Sequence, residues 1–236
     1  MRLWKSGLGL RIMWVTLNEI ESASLKAARN SGYAWGLAEE VGAAARWLTL
    51  RGLPFLPPLL VGVLRQMHHL ESFDSARQIG SSFGPTALSR RLGPVSVLTA
   101  LSDELLSVPP GSGEVSLRSL AAPVLLLPVL TQLSKRHDRA LQVRWPGVVA
   151  ECAGGAVVVD NASRSGLNTV CADWLTISHL AAATSEPPVN AGLRHQGAEL
   201  DEPLWAELNS LANRSFVPEG ETSRLRGVDT GLTDRD

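Results

Sequence analysis

The chain is short of cysteine, tyrosine and lysine, and it has no excess of charge of either sign. Two cysteines in 236 residues exclude a disulfide-stapled scaffold. Cys152 and Cys171 are expected as free thiols that behave as small apolar side chains. Basic residues number 22 and acidic residues 23, for a net charge of −1 and a pI near 6.5. This balance lacks the basic footprint of a nucleic-acid or anionic-membrane binder, so neither partner is expected. No apolar run reaches the roughly 18–20 residues that a membrane helix needs. The longest, 53–64 and 120–130, are both broken by proline. Residues 1–14 start basic but hold only a broken apolar stretch with no small-residue cleavage site, so no signal peptide is read. The expectation is a soluble, cytoplasmic protein.

Familiar catalytic signatures are missing as well. There is no G-x-x-x-x-G-K-S/T loop, no G-x-G-x-x-G after a strand, no H-E-x-x-H and no C-x-x-C. Of the five histidines only His68 and His69 are neighbours. Successive side chains on a helix point about 100° apart, so no metal centre is expected from them. No cofactor is implied.

What is present is the composition of a folded domain, with 44% apolar and 19% charged residues. A chain of this length buries roughly 70% of its unfolded surface and needs no staple. Arginine outnumbers lysine 19 to 3, which fits a GC-rich, bacterial genome. The seven tryptophans (4, 14, 35, 47, 145, 174 and 205) are scattered, and are expected as core anchors rather than as a platform for stacking bases.

Local patterns predict an α+β fold: a helical N-terminal half, then a small antiparallel sheet packed with helices. Thr16-Leu17-Asn18-Glu19 has the form of a capping box, and helical spacing follows until Gly32. A second helix is predicted over 35–50, stopped by Gly52, with Leu37, Val41, Ala44, Ala45 and Leu48 as its stripe. The short connection makes the two an antiparallel pair, closely approached at small residues. Pro57-Pro58 predicts a helix over 59–70, and 71–94 reads as a long loop or linker. A fourth helix is predicted over 95–107, carrying Val95, Leu98, Leu101 and Leu105 on one stripe. Residues 114–118 read as a strand. The run 121–136 reads as a buried helix kinked at Pro128, with a strand over 124–127 as the alternative. Alternation at Leu141, Val143 and Trp145, then Pro146-Gly147 and Gly154-Gly155, predicts a three-stranded meander over 141–160. A fourth strand is expected over 170–177. A last helix is expected over 202–213, with Asp201 as its N-cap.

Two clusters carry the functional expectation. Glu39 and Glu40 lie in a helix of small and apolar neighbours, where a desolvated carboxylate acquires a raised pKa and can act as a general acid or base. Arg46, two turns on, would orient a second carboxylate. The plainer alternative is one solvent-facing glutamate and one paired with an arginine. Near the C-terminus, Arg224 and Arg226 can hold a carboxylate or phosphate by forked hydrogen bonds, and Asp234 belongs to the acids around them. The plainer alternative here is a solvated tail.

Several runs resemble a proteobacterial family of unknown function. At the start they are Leu17-Asn18-Glu19-Ile20-Glu21, Lys26-Ala27-Ala28-Arg29, Gly32-Tyr33-Ala34-Trp35-Gly36-Leu37-Ala38-Glu39-Glu40 and Arg46-Trp47-Leu48. At the end they are Phe216-Val217-Pro218, Glu221-Thr222-Ser223-Arg224-Leu225-Arg226-Gly227 and Gly231-Leu232-Thr233-Asp234-Arg235-Asp236. The resemblance implies no activity, substrate or cofactor. It does imply that the tail is a family feature.

The expected division is therefore a dispensable extension (1–12, since Met13 can itself initiate), a helical region (13–70), the long loop (71–94), an α+β region (95–216) and a tail (217–236) folded over the N-terminal helices. The function expected is that of a small-molecule enzyme or ligand-binding protein. Its acidic/arginine cleft would combine Glu39, Glu40 and Arg46 with Arg224, Arg226 and Asp234. The alternative is a non-catalytic accessory subunit that docks a metabolic enzyme.

Overall fold

The first helix begins where the capping box places it. In the computed structural model, which describes residues 11–65, 73–74, 77–79, 82–85, 87, 90–103, 113–180 and 196–214, Thr16 caps α1 (Leu17–Asn30). Its hydroxyl accepts from the Glu19 N–H at 3.3 Å, and the Glu19 carboxylate accepts from the Thr16 N–H at 2.9 Å. The Thr16 hydroxyl also donates to the Glu19 carboxylate at 2.7 Å, and this bond, with the one from the Thr16 N–H, holds the Glu19 carboxyl below its ordinary range. The second helix, α2 (Trp35–Leu50), runs antiparallel to α1: Gly42 lies against Glu21 and Leu25, while Arg46 reaches back to Asn18 and Glu21. The absent side chain at Gly42 permits this approach, since a Cβ there would sit 2.9 Å from the Glu21 carbonyl oxygen.

The next helix starts earlier than predicted. Helix α3 (Leu56–Leu59) takes both prolines into its first turn, where a missing N–H is tolerated, and continues as a π-helical turn over Leu60–Leu64. The remainder of the predicted helix, 66–70, is outside the described residues. Four short strands lie within 71–94: β2 (Phe73–Asp74), β3 (Arg77–Ile79), β4 (Ser82–Gly84) and β5 (Arg91–Leu92). Elements of two or three residues are too brief for alternation to register. Helix α4 (Pro94–Ser102) buries Val95, Leu98 and Leu101, as its stripe predicts; Leu105 is outside the described residues.

Strand β6 (Glu114–Ala121) is longer than predicted. After it comes a 3-10 turn (Pro123–Leu126) and then α5 (Leu127–His137). The expected kink at Pro128 is absent because Pro128 is the second residue of α5, a position that requires no backbone donor. The strand alternative is not adopted, and the whole run from Pro123 to Thr131 is buried.

The meander forms as predicted from β7 (Leu141–Trp145), β8 (Val148–Ala153) and β9 (Ala156–Val159). Gly154 and Gly155 take φ of +58° and +88°, the two positive angles that a tight hairpin needs. Strand β10 (Cys171–His179) is inserted between β6 and β7, antiparallel to both. Strands β4 and β5 pair parallel with the other edge of β6, and β2 pairs parallel with β5. The class is α+β as expected, but the sheet is mixed and spans nine strands among the described residues. Alternating side chains of β7 and β8 face α5 across one continuous apolar core.

A second, two-stranded sheet joins the ends of the described chain and was not predicted. Strand β1 (Ile12–Thr16) pairs antiparallel with β11 (Gly197–Asp201), which leads into α6 (Glu202–Ala212). Arg11 accepts from the Glu202 N–H through its carbonyl at 2.8 Å and pairs with the Glu202 carboxylate at 3.0 Å. Residues 11 and 12 of the expected extension are thus part of this pairing.

The tryptophans divide. Trp145 and Trp205 are buried anchors. Trp14, Trp35 and Trp174 are 57%, 59% and 43% exposed, which corrects the expectation for those three. Trp35 is held on the surface by polar contacts: its ring lies under the Arg29 guanidinium and its Nε1–H donates to Glu39 at 2.7 Å. Nothing in the structure explains the exposure of Trp14.

Candidate binding cleft

Glu39 and Glu40 both stand exposed on α2, so the desolvation expected of them is absent. The apolar neighbours Ala38 and Val41 turn inward and leave the acids on the outer face. Arg46 donates to Asn18 Oδ1 at 2.6 Å and to Glu21 at 3.3 Å, which ties α2 to α1 rather than to Glu39 or Glu40. Glu40 does line a hollow of about 300 Å³ between α2, α4 and α5, together with Trp47, Ser102 and Gln132. Glu39 and Arg46 do not line it. Arg224, Arg226 and Asp234 are outside the described residues.

A larger cleft, about 370 Å³, lies where three distant segments meet: the connection between α2 and α3, the 3-10 helix Asn161–Asn168, and β11. Each wall is fixed by local chemistry. Gly52 follows the last turn of α2, and the chain then buries Leu53, Phe55 and Leu56 as the apolar lining. The 3-10 helix is pinned at Gly166, whose carbonyl accepts from the Trp145 Nε1–H at 3.2 Å and from the Thr169 hydroxyl at 2.6 Å. Gly166 has no room for a side chain, because a Cβ would lie 2.6 Å from Val148. This pin presents Arg164 and Asn168 at the cleft and buries Leu167 beneath them. Strand β11 is fixed by its five-residue register with β1, and Gly197 packs against the Val15 carbonyl.

The polar groups of the cleft are of both signs. Arg164 comes from the 3-10 helix, and Glu199 and Asp201 come from β11. Asp201 caps α6, accepting from the Leu204 N–H at 3.0 Å. Arg164 and Glu199 are exposed, and among the described residues neither side chain forms a hydrogen bond or ion pair. Thr49, also in the lining, is satisfied by donating to the Ala45 carbonyl at 2.8 Å. The arrangement is a largely apolar cleft with charged residues of both signs in its lining. It can hold a small molecule.

Sequence reasoning did not identify Arg164, Asn168 or Glu199. Residues 161–168 show no hydrophobic period, and β11 is too short and too polar to read as a strand. Asp201 was recognised, but as a helix cap only.

Among the described residues, no group of three or more histidine, cysteine or acidic side chains is placed to hold a metal ion. No helix among them is long and apolar enough to cross a membrane.

Comparison with known proteins places the start of the chain. Residues 15–65 match a family described as a protein of unknown function, DUF3726. This span carries the opening runs whose resemblance was noted above, the whole of α1 and α2, and the first wall of the cleft. No curated protein matches the chain. Among solved structures, a dehydrogenase from Sinorhizobium meliloti superposes with a TM-score of 0.54 at 14% identity, covering 86% of this chain and 100% of that one. At that identity the likeness concerns the fold alone.

Proposed function

We propose that the protein is a cytoplasmic small-molecule enzyme or ligand-binding protein, and that its acidic/arginine site is the 370 Å³ cleft. The observation that supports this reading is the cleft itself, whose lining joins apolar residues at 53–56 with Arg164, Glu199 and Asp201 from distant segments of the chain. Its volume lies in the range of about 300–1,000 Å³ usual for small-molecule sites. An apolar lining with a few polar groups is also the usual composition of such sites. The two free thiols, Cys152 and Cys171, support a reducing compartment.

A thermal-shift screen of metabolites tests the proposal. A ligand at 100 times its Kd stabilises the folded state by about 2.7 kcal/mol. For a chain of this size that corresponds to a rise of roughly 5–11 °C. The expected result is a hit whose shift disappears in Asn168→Trp, which fills the mouth of the cleft from an exposed position, and survives in Gln132→Trp, which fills the smaller hollow. A screen without any hit sensitive to Asn168→Trp overturns the proposal.

A second reading, the accessory subunit, is favoured by one separate observation. Ile12, Met13 and Trp14 are consecutive and exposed on β1, an apolar stretch of the kind that marks protein–protein contact. Co-purification of a metabolic enzyme that is lost in Ile12→Ser/Trp14→Ser, without any ligand shift, would select this reading over the first.

A further inference from the structure

We infer that two copies of this chain pair through β1, edge to edge and antiparallel, in a register centred on Met13. The inference is independent of the cleft. It concerns the exposed stretch Ile12–Trp14 and gives it a second copy as occupant, in place of the metabolic enzyme of the accessory-subunit reading. The reasoning starts from the backbone. In an antiparallel pair, alternate residues direct both of their backbone groups toward the partner strand. Two bonds identify these residues in β1. The Leu17 N–H donates to the Gln196 carbonyl at 3.3 Å, and the Arg11 carbonyl accepts from the Glu202 N–H at 2.8 Å. Arg11, Met13, Val15 and Leu17 therefore face β11, while Ile12, Trp14 and Thr16 turn their N–H and C=O groups to the opposite edge. The Thr16 N–H agrees with this alternation: it donates to Glu19 at 2.9 Å. Among the described residues no strand pairs with that edge.

A sheet edge is usually guarded by charge, proline or a bulge. Residues 12–16, Ile-Met-Trp-Val-Thr, hold no charge and no proline, and their register with β11 runs without a bulge. Ile12 and Trp14 share the outer face, each 57% exposed, and Met13 on the inner face is 37% exposed, so both faces are open at the rim. The occupant follows from the fit of this edge to itself. With the Thr16 N–H committed to Glu19, Ile12 and Trp14 are the residues of β1 that can offer both backbone groups. A second copy centred on Met13 sets Ile12 opposite Trp14 of the second copy, and Trp14 opposite its Ile12. Each of these pairs exchanges both N–H···O=C bonds, and the four side chains gather into one cluster of aromatic and β-branched neighbours. Charge does not oppose the pairing. The acids of the outer face, Glu199 and Asp201, stand on β11. Their symmetry mates are three strand spacings away, about 14 Å, beyond the ~8 Å screening length at physiological salt. An unrelated partner would have to bring an uncharged apolar strand; a second copy always brings one. A strand-on-strand contact is smaller than the roughly 1,200 Å² of stable complexes, so the dimer is a weak one that forms with rising concentration.

The test is sedimentation velocity of the full chain over roughly 1 μM to 1 mM, the range of weak association, together with disulfide trapping. The expected result is a monomer that converts to a dimer across this range. Ile12→Pro removes an outward N–H and leaves the β1–β11 ladder whole, and Ile12→Lys/Trp14→Lys restores the missing guard. Each is expected to weaken the dimer at least tenfold, with the circular dichroism of the parent retained. For trapping, Cys171→Ser removes the half-buried thiol, and Cys152 is buried. In that background Met13→Cys is expected to link two chains on mild oxidation, because directly opposed residues of this kind bring their Cβ atoms to about 4.5–5.5 Å. Glu199→Cys, exposed but on β11, is expected not to. A chain that stays monomeric throughout the range overturns the inference. A dimer that survives Ile12→Lys/Trp14→Lys, or in which Met13→Cys links no faster than Glu199→Cys, forms through another face and overturns it too. If the lysine variant unfolds, Ile12→Pro and the trapping rates decide. The cleft reading stands or falls separately, on its own ligand screen.

Discussion

The same substitution at two glycines of one helix should move stability in opposite directions. Gly36 lies in the first turn of α2, and a Cβ there would meet nothing within 4 Å. Gly36→Ala therefore gains helix propensity, about 0.5–1 kcal/mol, at no steric cost. Gly42 lies in the middle of α2, where the propensity gain is of the same size. Its Cβ, however, would sit 2.9 Å from the Glu21 carbonyl oxygen and 3.1 Å from the Leu25 Cβ. The oxygen is backbone, so relief requires α1 to move. Helix α1 is held at its start by the capping box and at its end by Asn30, whose side-chain amide donates to the Leu211 and Ala212 carbonyls at 2.9 Å each. Overpacking of a held interface costs about 1–3 kcal/mol. The net effect of Gly42→Ala is a loss of about 1 kcal/mol, roughly 2 kcal/mol below Gly36→Ala. At about 2–4 °C per kcal/mol for a chain of this length, the two variants should melt about 4–8 °C apart, on opposite sides of the parent. Differential scanning calorimetry measures this directly. A Gly42→Ala protein that melts at or above Gly36→Ala would refute the argument that α1 and α2 meet backbone to backbone.

Replacing both Gly154 and Gly155 with valine should cost a few kcal/mol, because β-branched residues resist the positive φ observed at both positions; urea denaturation reads the loss. Cys152 is fully buried, and burial pushes its thiol up to about 11, an effect partly countered by the Thr131 hydroxyl donating to Sγ at 3.5 Å. The unfolded thiol ionises near pH 9, so this contribution is whole below pH 9 and is lost as the pH rises through 11, with about 2 kcal/mol gone by pH 10.5. Denaturation at pH 8 and 10.5 should show that loss in the parent and a smaller one in Cys152→Ala. Deleting residues 1–12 was expected to change little, but Arg11 and Ile12 contribute the Glu202 contacts and the end of the β1–β11 register. A protein starting at Met13 should therefore unfold about 1 kcal/mol more easily than one starting at Arg11.

Where local physics sets the structure, the sequence was readable. The capping box at Thr16, Gly32 and Gly52 past the ends of their helices, and the alternation from Leu141 to Trp145 each act within a few residues, and each forms as read. Pro128 was misread because its position relative to the helix start decides whether it kinks, and the 3-10 turn before it moved that start. Strands β2 to β5 and β11 are held by their neighbours in the sheets rather than by their own pattern, so no local signal marks them. The same holds for the cleft. Arg164 and Glu199 stand 35 positions apart in the chain, and only the tertiary fold brings both into the lining of one cleft. Glu39 and Glu40 illustrate the converse: small neighbours suggested burial, but those neighbours face α1 and the core and leave the acids outside.

The central claim is that the cleft between residues 49–57, the 3-10 helix and β11 is the ligand site, and hydrogen exchange with and without a bound compound tests it most directly. The amides of residues 52–56, 166–168 and 198–200 should exchange more slowly when a thermal-shift hit is bound, while those of residues 98–102 and 129–132, beside the hollow at Glu40, should be unchanged. Protection confined to residues 98–102 and 129–132, with none at residues 52–56, 166–168 and 198–200, would contradict the account and move the site to the Glu40 hollow.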